Sequence, residues 1–133
     1  MECNLRKIAN AMEAVPFWKC LTCKVNEIGH DFASVTVDIS PDIHLNTIGL
    51  VHGGVYATML DNVMGLAIKT ITEAKVLTTN LNINFVANVS SGRLFAKGKI
   101  NHQGNRTFLV QGEVRDSQDN LLAIATGNFF KIK

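Results

Sequence analysis

The residues best suited to chemistry sit in one apolar stretch that opens His52-Gly53-Gly54 and closes Lys69-Thr70. Between His52 and Lys69 its only ionisable side chains are Asp61 and the far weaker acid Tyr56. A lone carboxylate in an apolar helix is costly, so Asp61 must be paired, hydrated or open to a ligand. Backbone N–H groups at a helix N-terminus are unpaired donors, and the glycines behind His52 let another molecule approach them. Such an end can hold a developing negative charge.

Geometry limits how they can cooperate. His52 and Asp61 are nine residues apart, which in a helix is about 13 Å along the axis and about 2.5 turns around it. Their side chains therefore point to opposite sides of one helix and cannot reach one reacting carbon. If both act, a symmetric dimer is the economical solution, with the glycine-rich end of one copy facing Asp61 of the other.

The elements around this stretch follow from periodicity. Leu5, Ile8, Met12 and Val15 fall at helical spacing over residues 3–14, and Pro16 closes that segment. Strands are expected over Cys20–Ile28 and Phe32–Ile39, joined by a Gly29-His30-Asp31 turn, with Ala33, Val35, Val37 and Ile39 sharing a face. A polar loop from Pro41 runs into His52, and the helix is expected to be buried on nearly every side. Four hairpin-linked strands then follow over 76–86, 93–102, 106–116 and 121–133. In the first, Leu81, Ile83 and Phe85 alternate with Asn80, Asn82 and Asn84. The pattern predicts an α+β fold, one antiparallel sheet with a long apolar helix across a face. Open edges of such a sheet invite pairing between copies.

Composition narrows the class. At 133 residues, 47% hydrophobic and 18% charged, the chain reads as one globular domain, 1–133. A net charge of +2, without a basic run interleaved with aromatics, gives no sign of a nucleic-acid partner. No apolar run approaches a membrane span and the N-terminus lacks the apolar core of a signal peptide, so a cytoplasmic protein is expected. Three cysteines, Cys3, Cys20 and Cys23, suit a reducing compartment. Cys20 and Cys23 lack a second ligand pair for zinc and read as core or surface thiols.

With Asn46 six residues before His52-Gly53-Gly54, and Asp61 after it, the chain resembles the phenylacetate-pathway (PaaI-like) group of hotdog-fold acyl-CoA thioesterases. The short first helix, the strand Thr-Thr-Asn-Leu-Asn-Ile-Asn-Phe and Gly104-Asn105-Arg106 extend the likeness over nearly the whole chain. The resemblance implies a hotdog fold, a helix wrapped by an antiparallel sheet, that hydrolyses acyl- or aryl-CoA thioesters with no metal or other cofactor. It implies a homodimer, paired again into a dimer of dimers. Asn46, His52 and the Gly53 amide would come from one subunit, and Asp61 with Thr78 from its neighbour. The Gly53 N–H would hold the oxyanion. Asp61 would act as general base or attack directly. Asn46 would orient water or donate to the carbonyl, Thr78 would hold the water, and His52 would fix the loop and polarise the thioester. Substrate contacts are expected at Gly54, Asn62 and Arg106. Where the family has a proline after the third strand, this chain has Ala87-Asn88.

Plainer readings stand beside these. Asn46 and Thr78 alone are ordinary turn and strand residues. Arg93, Lys97, Lys99 and Arg106 could meet coenzyme A phosphates or form a solvated strand face. A non-catalytic acyl-CoA-sensing module on the same fold is the alternative function. A hotdog dehydratase, which pairs a histidine with an acid in another motif, fits His52-Gly53-Gly54 poorly.

Overall fold

The computed structural model describes residues 3–132. Lys133, the expected end of the last strand, lies outside the described residues. Helix α1 (Cys3–Glu13) lays Ile8 and Met12 against the core. Its last residue is tied down where Val25 donates its N–H to Glu13 Oε2 at 2.6 Å.

A second helix, α2 (Pro16–Leu21), replaces the start of the first expected strand. Pro16 opens it, because the fixed φ and missing N–H of proline suit a first helical turn. Trp18 anchors the helix in the core, and Thr22 ends it in the left-handed region at φ 59°. The strand proper, β1 (Lys24–Gly29), therefore begins four residues later than expected and forms a hairpin with β2 (Phe32–Asp38).

Helix α3 (Gly53–Lys69) carries the core, with nine buried side chains, Val55, Tyr56, Met59, Leu60, Val63, Met64, Leu66, Ala67 and Ile68. It lies across a six-stranded antiparallel sheet of order β1-β2-β4-β5-β6-β3, completed by β3 (Val76–Phe85), β4 (Arg93–Gln103), β5 (Thr107–Arg115) and β6 (Leu121–Lys131). Only β4, β5 and β6 form the expected meander. Strand β3 pairs with β6 instead of β4 and becomes a sheet edge. Its link to β4 crosses the end of the sheet, where Val86 and Ala87 donate to Leu122 O and Val51 donates to Val89 O.

The helix comes close because the sheet is cut away beneath it. A Cβ on Gly98 would stand 3.0 Å from the Val63 carbonyl oxygen, and one on Gly112 would stand 2.9 Å from Met64 Cε. Gly127 would place one 2.7 Å from Met64 Sδ. Gly98 and Gly112 are direct cross-strand partners. The three glycines form a trough that seats α3. Among the described residues no helix is long and apolar enough to cross a membrane.

Candidate active site

His52 is the N-cap of α3, and its Nδ1 accepts the Gly54 N–H at 2.8 Å. A ring nitrogen that accepts cannot carry the proton, so the neutral imidazole holds it on Nε2, free to donate. The capping leaves the preceding amide, Gly53 N–H, with no acceptor among the described residues. A Cβ at Gly53 would meet the Phe85 ring at 3.5 Å, ordinary van der Waals contact, so this helix end lies directly beside the edge strand.

The loop before His52 is folded by Asn46. Its Oδ1 accepts the N–H groups of Ile48 at 3.1 Å and Leu50 at 3.0 Å, and its own N–H donates to Leu50 O at 2.7 Å. The turn needs Gly49 at φ 80°. With its oxygen committed to the backbone, Asn46 keeps only its NH2 group to offer. Asn46 and Gly53 meet in a cavity of about 310 Å³ together with Val51, Tyr56, Phe85, Val86, Ala87 and Asn88.

Asn88 builds one wall of that cavity. Its Nδ2 donates to Val51 O at 2.9 Å, and its Oδ1 accepts both Tyr56 Oη–H at 2.6 Å and the Val89 N–H at 2.8 Å. It thus ties the β3–β4 link to the base of α3 at the place where proline is expected. Burial pushes the Tyr56 phenol up to about 12.

His44, a residue of the loop before α3, is fully buried. Nδ1 accepts the Ser40 N–H at 2.8 Å and Nε2 donates to Leu21 O at 2.8 Å. Its carbonyl accepts the His52 N–H at 2.8 Å. One histidine thereby joins the end of α2, the start of the loop and the cap of α3. A polar residue with an apolar neighbour on each side, Ile43 and Leu45, was the available signal.

Asp61 stands elsewhere on the helix. Thr78 on β3 donates its hydroxyl to Asp61 Oδ1 at 2.7 Å. The expectation of a helix buried all round needs correction here. Gly54, Ala57, Thr58, Asp61 and Gly65 form a partly open flank, because β3 is the last strand on that side. The carboxylate is half-buried, paired with a hydroxyl and open to solvent.

The structure brings Asn46 together with Gly53, and Asp61 together with Thr78, as two clusters along one helix. The eight residues from Gly53 to Asp61 span about 12 Å. Gly54 lies exposed beside His52. Asn62 is not brought to either cluster. Its side-chain nitrogen is buried without a hydrogen-bond partner among the described residues, beside the Cys23 thiol. Burial pushes that thiol up to about 11, while Cys20 is exposed and unbonded. Arg106 stacks over the Phe130 ring at 4.9 Å, on the sheet face turned away from α3. Arg93 is held by Asp38, with Nε–H donating to Oδ1 at 2.6 Å. Lys97 and Lys99 line a cavity of about 630 Å³ on that same outer face, which contains none of the expected catalytic residues. No group of three or more His, Cys, Asp or Glu side chains gathers among the described residues.

The sequence profile of the thioesterase superfamily matches residues 48–123. A Mycobacterium tuberculosis protein that carries an esterase designation is 31% identical over 114 residues, covering 82% of this chain and 81% of that one. Its solved structure superposes with a TM-score of 0.85 at 29% identity, over 90% of this chain and 98% of that chain. A conserved Pseudomonas aeruginosa protein superposes with a TM-score of 0.87 at 25% identity, over 93% of this chain and 99% of that one. The Escherichia coli PaaI protein, from the phenylacetic acid degradation operon, shares the fold with a TM-score of 0.89 at 23% identity, over 97% of this chain and 94% of that one.

Proposed function

The chain belongs to the thioesterase superfamily and is a hotdog-fold thioester hydrolase, and we propose that it hydrolyses acyl- or aryl-CoA thioesters to free acid and coenzyme A at sites shared between two copies. The observation that carries this reading is the separation of the two clusters along the length of α3, beside an open sheet edge. A second copy on that edge supplies the missing half of each site.

In the shared site the free Gly53 N–H, at the positive end of α3, receives the thioester oxygen as it becomes an oxyanion. The Asn46 NH2 and the His52 Nε2–H are further donors on the same side. Asp61 of the partner subunit delivers the attack, as base toward water or as nucleophile, with Thr78 holding one carboxylate oxygen. In the base route the water oxygen bonds to the carbonyl carbon and Asp61 takes the proton. Collapse of the tetrahedral species breaks the C–S bond, and the thiolate leaves to be protonated. Protein groups alone accomplish this. A second pairing into a dimer of dimers is supported by Phe32, Leu109, Ile124 and Phe130, which stand exposed on the outer sheet face. Unbonded Cys20 and Cys23 fit the cytoplasm.

The test is thiol release from short, medium and long acyl-CoAs and from phenylacetyl- and benzoyl-type CoAs, with wild type and Asp61→Ala. Asp61→Ala is expected to lose turnover by about 10²-fold or more, as for removal of a positioned acid–base group, while keeping its dimer. Unchanged turnover in that variant overturns the mechanism. Tight binding of one thioester with release from none favours the sensing module.

A further inference from the structure

Val51, the last residue before the His52 cap, is fully buried, and both its backbone polar groups are committed to the β3–β4 link. Its N–H donates to Val89 O at 3.0 Å, and its carbonyl accepts from Asn88 Nδ2 at 2.9 Å. On its other side the same carboxamide takes the Tyr56 Oη–H at 2.6 Å and the Val89 N–H at 2.8 Å, both on Oδ1. A backbone N–H can only donate and a backbone carbonyl can only accept. The carboxamide can therefore stand only one way round, with its oxygen toward Val89 and its nitrogen toward Val51.

Val51 stands two residues before Gly53 and Tyr56 three residues after it, so one side chain grips the chain on both sides of that amide. Tyr56 adds a support of its own. Its ring centroid lies 6.3 Å from that of Phe85, the ring that a Cβ at Gly53 would meet at 3.5 Å. The His52 cap does not by itself aim the Gly53 N–H, since its ring binds the next amide, that of Gly54, at 2.8 Å. Gly53 has no side chain to be held by. The tilt of its peptide plane is then decided by where Val51 ends and where the first turn of α3 begins, the two points that Asn88 joins.

Resting on the oxyanion role proposed for Gly53, we infer that Asn88 is a positioning residue of the reaction, which aims the Gly53 N–H through the Val51 carbonyl and the Tyr56 hydroxyl. A donor stabilises developing charge only when it is already aimed, and a misplacement of about 1 Å can cost about 10²-fold in rate. The proline expected at this point would stiffen the link but could bond neither group. Asn88 and Tyr56 therefore act as one unit, the carboxamide as clamp and the hydroxyl as the point it holds on the helix.

Glycine-selective 15N labelling gives one amide signal for each of the 10 glycines, and the test pairs that spectrum with steady-state thiol release on the best thioester of the panel. Wild type, Asn88→Ala, Tyr56→Phe and the double variant are compared. Asn88→Ala is expected to move the Gly53 signal while Gly98, Gly112 and Gly127, in the trough under α3, keep theirs. Its kcat is expected to fall by about 10-fold or more with KM within about 3-fold of wild type. Tyr56→Phe is expected to give a smaller loss of the same kind and to add nothing on top of Asn88→Ala, since coupled groups are not additive. A lower urea midpoint with the Gly53 signal and kcat unchanged would mark a role in stability alone and overturns the inference. Movement of the trough glycines as far as Gly53, or additive losses in the double variant, overturns it too. If Asn88→Ala does not fold, Tyr56→Phe, which removes a single hydroxyl, decides by the same two measurements. A moved Gly53 signal in a chain whose wild type turns over no thioester leaves the hold of Asn88 on Gly53 standing and overturns the acyl-CoA reading instead.

Discussion

The hydroxyl of Thr78 donates to Oδ1 of Asp61 at 2.7 Å, joining the edge strand to the middle of the central helix. The bond crosses from β3 to α3, so it sets the carboxylate against a rigid support and leaves Oδ2 available. A hydrogen bond to a charged group is worth about 1.5–3 kcal/mol. Thr78→Val is therefore expected to lower kcat by about 10- to 100-fold. Thr78→Ser, which keeps the hydroxyl, is expected to stay within a few-fold of wild type. A loss in Thr78→Ser with full activity in Thr78→Val would show that the methyl group, not the hydrogen bond, matters.

His44 is expected to matter for stability more than its place in a loop suggests. Replacing it with Phe keeps an aromatic ring of similar reach but strands the Ser40 N–H and the Leu21 carbonyl, each bonded at 2.8 Å in the native chain. Leaving partly buried partners unmade costs about 1–3 kcal/mol apiece. A combined loss of about 2–4 kcal/mol should appear as a lower urea midpoint with an unchanged m-value. A loss under about 0.5 kcal/mol would mean that water reaches both groups.

Tyr56 gives the chain an alkaline limit. Burial raises its phenol from 10.0 to about 12 in the folded chain. The folded state thus favours the neutral form. This contribution is fully present below about pH 10 and is lost as pH rises toward about 12. Tyr56→Phe removes the titration along with the hydrogen bond to Asn88. At pH 7 it should cost about 0.5–1.5 kcal/mol. Between pH 10 and 12 the gap between wild type and variant should narrow, read as converging urea midpoints. A gap that stays constant would place the phenol in contact with solvent.

Much of this architecture is legible in the sequence, for identifiable reasons. Helix α3 stands out because a long apolar run at helical period has no strand alternative, and β2 and β3 stand out because their faces alternate cleanly. The candidate site is legible as a motif because Asn46, Gly53 and Asp61 lie within one short span. Helix α2 escapes notice because six residues give no periodicity and Pro16 reads as a stop as easily as a start. The pairing of β3 with β6 escapes because chain order favours the neighbouring strand, and that pairing is what opens the Asp61 flank. Asn88 and His44 stay hidden for another reason. Their partners lie 32 and 37 residues away for Asn88, and 23 away for His44, beyond any local pattern.

The glycine trough beneath α3 governs orientation as well as packing. A rod resting in a groove cannot roll without lifting out of it, and here the groove meets backbone at Val63 and side chains at Leu60 and Met64. Gly98, Gly112 and Gly127 therefore set the azimuth of the helix, and with it the compass bearing of Asp61. Three residues with no side chain steer a carboxylate they never touch.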